Sequence, residues 1–170
     1  MSYRNKTYVA FASEDIHLYR MMEVWRDNDN IDFSFYDSHD LYVARDTSSR
    51  EQIKRRLYER ISNTAKQVVL IGTADARRKG GDGDSFLAYE VATVIKLGLP
   101  VVIANKGGSR SIERSLIPQP FLDADYYTLS TSFQPYTIKF ALDNYAEKFA
   151  SSDKSGPHFY GDDVYARNGL

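Results

Sequence analysis

Apolar runs and helical repeats alternate along the first part of this chain of 170 residues. Residues 7–12 are β-branched and aromatic, which predicts a first strand. Between residues 16 and 27 apolar side chains recur at helical spacing, which predicts a helix that ends at the polar stretch 28–30. Residues 31–36 alternate apolar and polar side chains, and this period predicts a short second strand near the sheet edge.

A long polar connection, residues 37–47, separates this strand from the next helix. It exceeds the roughly two to six residues usual between a strand and a helix, which favours a functional role. Ser48 and Glu51 match a capping box that begins the helix. The apolar residues of this helix share one face: Ile53, Leu57 and Ile61. Residues 67–72 are almost wholly apolar, as expected of a central strand buried on both faces.

Glycine and basic residues dominate the segment 73–83, which is predicted to be a mobile basic loop. Its basic residues are expected to form a flexible surface patch: Arg77, Arg78 and Lys79. Asp84 or Ser85 can cap a third helix, and Gly98 provides a typical glycine end for it. Residues 100–104 predict another buried strand.

The C-terminal part of the chain predicts one further strand at 124–129 and a closing helix at 133–150. Strands that alternate with helices imply a parallel sheet covered on both sides. The expected fold is therefore α/β, with three layers and a central, mostly parallel five-stranded sheet of flavodoxin-like order. We expect a domain over residues 1–150 and a surface tail over 151–170, because the tail shows no apolar period.

Charge and composition narrow the classes of function. The chain carries 22 Lys and Arg against 23 Asp and Glu, a net charge of −1, so it lacks the basic excess typical of a nucleic-acid binder. It has no cysteine, which excludes disulfides, thiolate nucleophiles and Cys-based zinc sites. The polar N-terminus lacks the apolar core of a signal peptide, and no apolar run has the length of a membrane span. We therefore expect a cytoplasmic protein with no membrane partner.

Several nucleotide-binding and hydrolase motifs are missing. The Gly-rich stretch 80–84 is not followed by the Lys-Ser/Thr pair of a phosphate-binding loop, and neither a GxGxxG fingerprint nor a G-x-S-x-G elbow occurs. The three histidines show no metal-ligand spacing, so no metal site is expected. Asp15 and Asp37 supply only part of a phosphoacceptor's acidic cluster, which disfavours a receiver domain.

Glu90 is the most informative polar residue of the third helix. On a wheel of about 100° per residue it lies roughly 85° from the centre of the apolar stripe, which predicts a boundary position. Phe86 and Val94 flank it one turn away, so its carboxylate is expected among apolar groups near the carboxyl ends of the strands. Open α/β sheets bind ligands at those ends. A solvated helix glutamate is the alternative from the same geometry.

In order along the chain, these segments resemble a TIR domain and, more narrowly, the TIR-like ThsB proteins of bacterial Thoeris antiphage systems. The resemblance covers about residues 6–150. It rests on residues 8–15, on the acidic connection after the second strand, on the helix that leads to residues 68–73, and on residues 86–102.

The resemblance implies an enzyme that cleaves the nicotinamide–ribose bond of NAD. In ThsB-like members it also implies release of a cyclic or modified ADP-ribose signal that activates a partner effector. NAD is then the substrate, and no separate cofactor is expected. Glu90 matches the family's catalytic glutamate. The tryptophan often found shortly before that glutamate is absent here, and Phe86 is the nearest aromatic substitute.

The other predicted substrate-binding residues surround the expected cleft. Phe11 and Ser13 end the first strand, where a ring could stack on a base and a hydroxyl could meet a ribose or pyrophosphate. A core phenylalanine and a capping serine are the alternatives. By resemblance, the polar connection is the BB loop of TIR domains, which gates the site or contacts a neighbouring protomer. Its candidate residues are Tyr36, Asp37, His39 and Arg45.

Three functions remain open on these residues. Beside the NAD-consuming enzyme stand a non-catalytic TIR-like module that self-associates through its BB loop and helices, and a nucleotide hydrolase or deoxyribosyltransferase of flavodoxin-like fold. Six tyrosines of the C-terminal third are predicted to dock the last helix and the tail or to form an assembly surface: Tyr126, Tyr127, Tyr136, Tyr145, Tyr160 and Tyr165.

Overall fold

The computed structural model describes residues 6–35 and 49–170. Its strands are β1 Thr7–Ala10, β2 Gln67–Gly72, β3 Val101–Asn105, β4 Thr128–Ser132 and β5 Pro157–Phe159. They form one sheet in the order β1-β2-β3-β4-β5, and every neighbouring pair is parallel. The predicted α/β fold with a five-stranded, flavodoxin-like sheet is confirmed.

Helices cover both faces of the sheet. The described α-helices are α1 Ile16–Asp27, α2 Arg50–Thr64, α3 Ala74–Gly80, α4 Phe86–Leu97, α5 Gln119–Asp123, α6 Pro135–Ala141 and α7 Asp162–Arg167. One core cluster joins the sheet to α2, α4 and α5, and a second joins it to α1 and α6, so the fold has three layers. In the described part of the chain, none of the helices is both long enough and apolar enough to cross a membrane.

The first turn of α2 begins one residue later than predicted. The Ser49 hydroxyl accepts a hydrogen bond from the backbone N–H of Gln52, and the Gln52 side chain accepts one from the N–H of Ser49, both at 3.3 Å. This is a capping box of the S-x-x-Q form, whereas the sequence also contains the S-x-x-E match at Ser48, which lies outside the described residues. The predicted apolar face is confirmed, because Ile53, Leu57 and Ile61 are buried.

The strand predicted over residues 31–36 is wrong for the described part, 31–35. Its backbone makes turn-like bonds, with the N–H of Phe33 donating to the carbonyl of Ile31 at 2.9 Å. Phe33 and Phe35 are nevertheless buried, because Phe33 packs edge-on against Trp25 at 5.8 Å and Phe35 against Tyr19 at 5.7 Å. The alternating pattern therefore reflects rings that pack on α1, not strand pairing.

Residues 74–80 form the helix α3, so the mobile loop predicted over 73–83 is wrong there. The Thr73 hydroxyl caps this helix by accepting a bond from the N–H of Ala76 at 3.0 Å. Gly80 packs against Pro118, and a β-carbon at that position would lie 2.7 Å from the proline ring. Arg77 is likewise not a flexible surface group, because its guanidinium donates to the backbone carbonyl of Ile117 and to the Gln119 side chain, both at 2.5 Å.

The C-terminal elements are displaced from their predicted bounds. The strand expected at 124–129 begins only at Thr128, because the preceding residues close α5, with the N–H of Tyr126 bonded to the carbonyl of Phe121 at 3.0 Å. The closing helix begins at 135 and continues after α6 as a π-helical turn, Leu142–Ala146.

Tyr145 in this π-helical turn connects it to the amino ends of two strands. Its hydroxyl accepts a hydrogen bond from the N–H of Val101 at 2.9 Å and donates one to the carbonyl of Tyr127 at 2.7 Å. Burial raises the pKa of Tyr145 well above its ordinary value. The hydroxyl therefore stays neutral and hydrogen-bonds to backbone groups at the starts of β3 and β4.

The last twenty residues contribute β5 and α7 to the fold. Tyr165 of α7 is fully buried, shares a hydrogen bond of 2.7 Å with the hydroxyl of Thr131 in β4, and lies under the guanidinium of Arg110 at 4.5 Å. The prediction that C-terminal tyrosines dock the tail is thus confirmed at Tyr165. The division into a domain over 1–150 and a tail over 151–170 stays a prediction.

Candidate functional site

A cleft of about 120 Å³ lies beside the carboxyl end of β1, lined by residues that follow this strand and by residues of α2, α3 and the start of α4. Three of the predicted substrate-binding residues, Phe11, Ser13 and Phe86, meet there. The other described residues that line the cleft are Arg50, Lys79, Ser85 and Leu87. The cleft thus lies at the edge of the sheet where parallel α/β folds bind ligands.

The end of β1 supplies Phe11 and Ser13. Phe11 is buried, and its ring stacks on Tyr19 of α1 at 4.8 Å, so it belongs to the core as well as to the cleft wall. Behind this turn, the buried carboxylate of Asp15 accepts a hydrogen bond of 2.5 Å from the hydroxyl of Thr73. This bond joins the residues that follow β1 to those that follow β2.

The N-terminus of α4 is built by a tight turn. The Asp82 carboxylate accepts hydrogen bonds from the N–H groups of Asp84 at 2.8 Å and Ser85 at 2.9 Å. Burial alone would raise the pKa of Asp82, but these two donors hold it below its ordinary value. Ser85 caps the helix by accepting a bond from the N–H of Ala88 at 3.1 Å, and Gly98 ends it in the left-handed conformation, as predicted.

Glu90 lies one turn after Phe86 and is fully buried. The predicted boundary position is therefore wrong, as is the alternative of a solvated glutamate. A single apolar stripe misplaces it because α4 packs on α2, α3 and α5 besides the sheet, so more than one side of this helix is covered. Among the described residues, those that line the cleft do not include Glu90.

A buried carboxylate at this position is chemically informative. Removing an ionised carboxylate from water costs several kcal/mol unless its surroundings compensate. Groups of this kind concentrate at functional sites, where burial adjusts their charge state and strengthens their field. Glu90 is thus the strongest catalytic candidate in the described residues, although it is not one of the described residues that line the cleft.

Two cleft residues, Arg50 and Lys79, were not among the sequence-predicted candidates. The Arg50 guanidinium lies 5.3 Å from the ring centre of Phe86 and 3.1 Å from the Asp84 carboxylate. The Lys79 ammonium donates to the Ser13 hydroxyl at 2.9 Å. The sequence does contain a pattern that favours a helix at α3, because an acidic residue near its start and basic residues in its last turn stabilise the helix dipole.

The remaining predicted residues lie in the segment 36–48, outside the described residues: Tyr36, Asp37, His39 and Arg45. Within residues 6–35 and 49–170, no group of His, Asp and Glu side chains is arranged to hold a metal ion.

A sequence model of the family described as Thoeris protein ThsB, TIR-like domain, matches residues 8–111, more than half of the chain. The chain belongs to this ThsB family. It is therefore a TIR-like protein of the Thoeris antiphage defence family. The ThsB match begins in β1 and ends after β3, so it contains both walls of the cleft and all of α4. A search of curated proteins finds no match to the chain.

Glu14 of this ThsB protein is expected to tie its stability to pH. Hydrogen bonds from the Lys79 ammonium and the Ser13 hydroxyl lower the pKa of Glu14 from 4.5 to about 2. Because the folded value is the lower one, the stabilisation is complete above the unfolded pKa and is lost as the pH falls through the folded value. With 38% of the side chain exposed, solvent screening limits the effect to about 1 kcal/mol or less.

We expect Glu14→Gln to flatten the fall in the free energy of unfolding between about pH 5 and pH 2. Urea unfolding at a series of pH values measures this slope. The exposed Glu59 of α2 provides the matched control, and Glu59→Gln should leave the slope unchanged. If the free energy of unfolding of Glu14→Gln falls as steeply with decreasing pH as that of the wild type, the role given to Glu14 is contradicted.

Proposed function

We propose that this ThsB protein is a cytoplasmic NAD-consuming enzyme of antiphage defence. It cleaves the nicotinamide–ribose bond and releases a cyclic or modified ADP-ribose, which diffuses to an effector protein and activates it. The observation that carries the proposal is the buried Glu90 carboxylate on α4, one turn below the Phe86 wall of the cleft, within a ThsB TIR-like domain.

The chemistry needs only one carboxylate. When the bond between ribose C1′ and the nicotinamide nitrogen breaks, its electron pair stays on that nitrogen, and the cationic ring leaves as neutral nicotinamide. No general acid has to protonate this leaving group, unlike the alcohol of an ordinary glycoside. The positive charge moves to an oxocarbenium-like ribose, which water or a nitrogen of the adenine ring then attacks.

In this proposal Glu90 stabilises the developing charge on the ribose. A fixed carboxylate acts most strongly where water is excluded, because the surrounding medium screens its field less. Its complete burial supplies that environment. Phe86 and Phe11 offer aromatic surfaces to the bases, and Ser13 offers a hydroxyl oxygen that can accept a hydrogen bond from the ribose.

The proposal requires the cleft to open. Pockets for ligands of this size usually measure about 300–1,000 Å³, whereas this cleft measures about 120 Å³. Substrate binding must therefore widen the cleft and expose Glu90 past the first turn of α4. Such closing and opening of a site around its substrate is common in enzymes that exclude water from a reactive intermediate.

Incubation of the purified protein with NAD tests the proposal directly. We expect release of nicotinamide, measured by chromatography, and a modified ADP-ribose identified by mass spectrometry. The assay is run alone and with lysate of phage-infected cells, since a trigger is part of the proposed defence role. Absence of turnover in both arms, together with no rise in melting temperature on adding NAD or ADP-ribose, would contradict it.

The narrow cleft and the buried position of Glu90 also fit a second function. A non-catalytic TIR-like module would need neither substrate access nor an exposed carboxylate, and it would act by self-association. In that case NAD and ADP-ribose leave the melting temperature unchanged, while the apparent mass in solution rises with protein concentration. The same two measurements therefore separate the alternatives.

A further inference from the structure

A lysine held by two side chains stands at the rim of the cleft. The Lys79 ammonium donates to the Ser13 hydroxyl at 2.9 Å and also forms an ion pair with Glu14. The Ser13 hydroxyl in turn donates to Glu14 at 2.8 Å, and Glu14 accepts a further bond from Arg78 at 2.9 Å. Only 24% of the Lys79 side chain is exposed, so its position is set by these contacts rather than by free rotation in solvent.

These contacts decide which chemistry Lys79 can perform. A serine and a lysine in contact can act as a nucleophile and a base only when the lysine is neutral. Here the Lys79 ammonium donates to the Ser13 hydroxyl, and the proton of that hydroxyl goes to Glu14 and not to the lysine. Lys79 is therefore placed as the ion-pair partner of Glu14, and this geometry does not fit a hydrolytic Ser–Lys pair, in which the lysine takes the serine proton.

The donors of Lys79 are only partly used. An ammonium has three N–H donors, and its contacts with described residues go to Ser13 and Glu14, which leaves a donor for a ligand in the cleft. The two serines of the cleft have less to offer, because Ser13 donates to Glu14 and Ser85 donates to the carbonyl of Lys79 at 2.7 Å.

Arg50, the second cation of the cleft, is held more loosely. Its partner Asp84 has 89% of its side chain exposed, and Arg50 itself has 48% exposed. An ion pair this exposed contributes little and breaks easily. Lys79 thus differs from Arg50 in being both charged and positioned before any ligand arrives, which lowers the entropy lost on binding.

We propose that Lys79 binds a phosphate oxygen of the substrate's pyrophosphate, and that Ser13 and Glu14 position its ammonium for this contact. The inference rests on the proposed function and adds a specificity residue to it. It makes the cleft selective for a phosphorylated dinucleotide, such as NAD or ADP-ribose, over nicotinamide riboside, which has the same reactive bond but no phosphate.

Calorimetric titration with ADP-ribose and with nicotinamide riboside tests this. We expect Lys79→Gln to weaken ADP-ribose binding about tenfold, the scale of one lost charge-assisted hydrogen bond, and to leave nicotinamide riboside unchanged. Lys79→Arg should restore most of the ADP-ribose affinity. The control Lys66→Gln removes the same charge from an exposed residue before β2, at the opposite end of the sheet, and should change neither affinity.

The positioning role of Glu14 has its own readout. Glu14→Gln should weaken ADP-ribose binding about threefold without altering that of nicotinamide riboside, because the ammonium keeps its bond to Ser13 but loses the ion pair that fixes its position. Tighter binding of ADP-ribose by Glu14→Gln would show instead that Glu14 competes with the phosphate, and would overturn the positioning role.

The outcomes distinguish this inference from the proposed function. If the wild type binds neither NAD nor ADP-ribose, both fall together. If the wild type binds ADP-ribose and Lys79→Gln binds it equally well, the Lys79 assignment alone is overturned. It is overturned equally if Lys79→Gln weakens both ligands alike, which would indicate a structural effect, or if Lys79→Arg restores nothing.

Discussion

Glu90→Gln is expected to lower the rate of nicotinamide release from NAD by at least about 100-fold, the scale on which a single electrostatic stabiliser of a transition state contributes. Glutamine keeps the size of the side chain but carries no negative charge, so it cannot stabilise a cationic ribose. Because the residue is fully buried on α4, the substitution also tests whether this carboxylate is needed for folding. Initial rates with saturating NAD provide the measurement.

Two controls make the Glu90 result interpretable. Thermal unfolding of Glu90→Gln must show a cooperative transition near that of the wild type, so that lost turnover is not lost structure. Glu59→Gln removes the same charge from an exposed position on α2 and should retain full turnover. Wild-type rates in a folded Glu90→Gln variant would show that the catalytic assignment is wrong.

Tyr165→Ala is expected to cost about 3–5 kcal/mol of unfolding free energy, the usual range for truncating a large aromatic side chain in a core. Tyr165 lies in the last nine residues of the chain, yet it is fully buried between β4 and the Arg110 side chain. Its removal leaves a cavity and deprives Thr131 of a hydrogen-bond partner. Urea unfolding followed by circular dichroism measures the loss.

The matched control for Tyr165 is Tyr136 of α6, which is 51% exposed. Tyr136→Ala should change the unfolding free energy by no more than about 0.5 kcal/mol, as is usual at the surface. Tyr165→Phe, which keeps the ring and loses only the bond to Thr131, should cost about 1 kcal/mol. An unchanged stability in Tyr165→Ala would support a detachable tail over residues 151–170.

Elements with complete local signals could be predicted from the sequence. α4 was predicted because Ser85 caps its start and Gly98 ends it, and β2 because its apolar run leaves no competing interpretation. α3 was missed because Gly80 and Gly81 at its end resemble a loop. The reason for Gly80 is the close approach of Pro118, a contact between distant parts of the chain that no local pattern reveals.

Two segments, 31–35 and 157–159, show that local sequence patterns do not decide whether a segment pairs as a strand. The segment 31–35 has the alternation of a strand, yet its phenylalanines pack on α1 without strand pairing. Conversely, Pro157–Phe159 is too short and too polar at its flanks to predict a strand, and it becomes β5 only because β4 offers an edge for pairing. In both places tertiary contacts, not the local period, decide the backbone hydrogen bonds.

Some residues of the candidate site could be predicted from the sequence, and others depend on contacts between distant parts of the chain. Phe11 and Ser13 are predictable because they follow the carboxyl end of β1, where parallel sheets bind ligands, whereas Phe86 is predicted only by the family resemblance, as the substitute for the missing tryptophan. Lys79 could not be predicted as a cleft residue, since its place depends on a bond to Ser13, far away in sequence. The burial of Glu90 was underestimated because a helical wheel represents one packing partner, whereas α4 has several.

The π-helical turn Leu142–Ala146 contains one residue more than an α-helix needs for the same path. A deletion of one residue there would restore a regular α-helix along the same path and leave the later side chains of the helix in their present phase, but the side chains of the turn itself would shift by up to about 100°. Tyr145 lies in this turn, so its hydroxyl would lose its hydrogen bonds to the N–H of Val101 and the carbonyl of Tyr127. The extra residue therefore determines where the Tyr145 ring lies, and with it which side chain holds the backbone groups at the starts of β3 and β4.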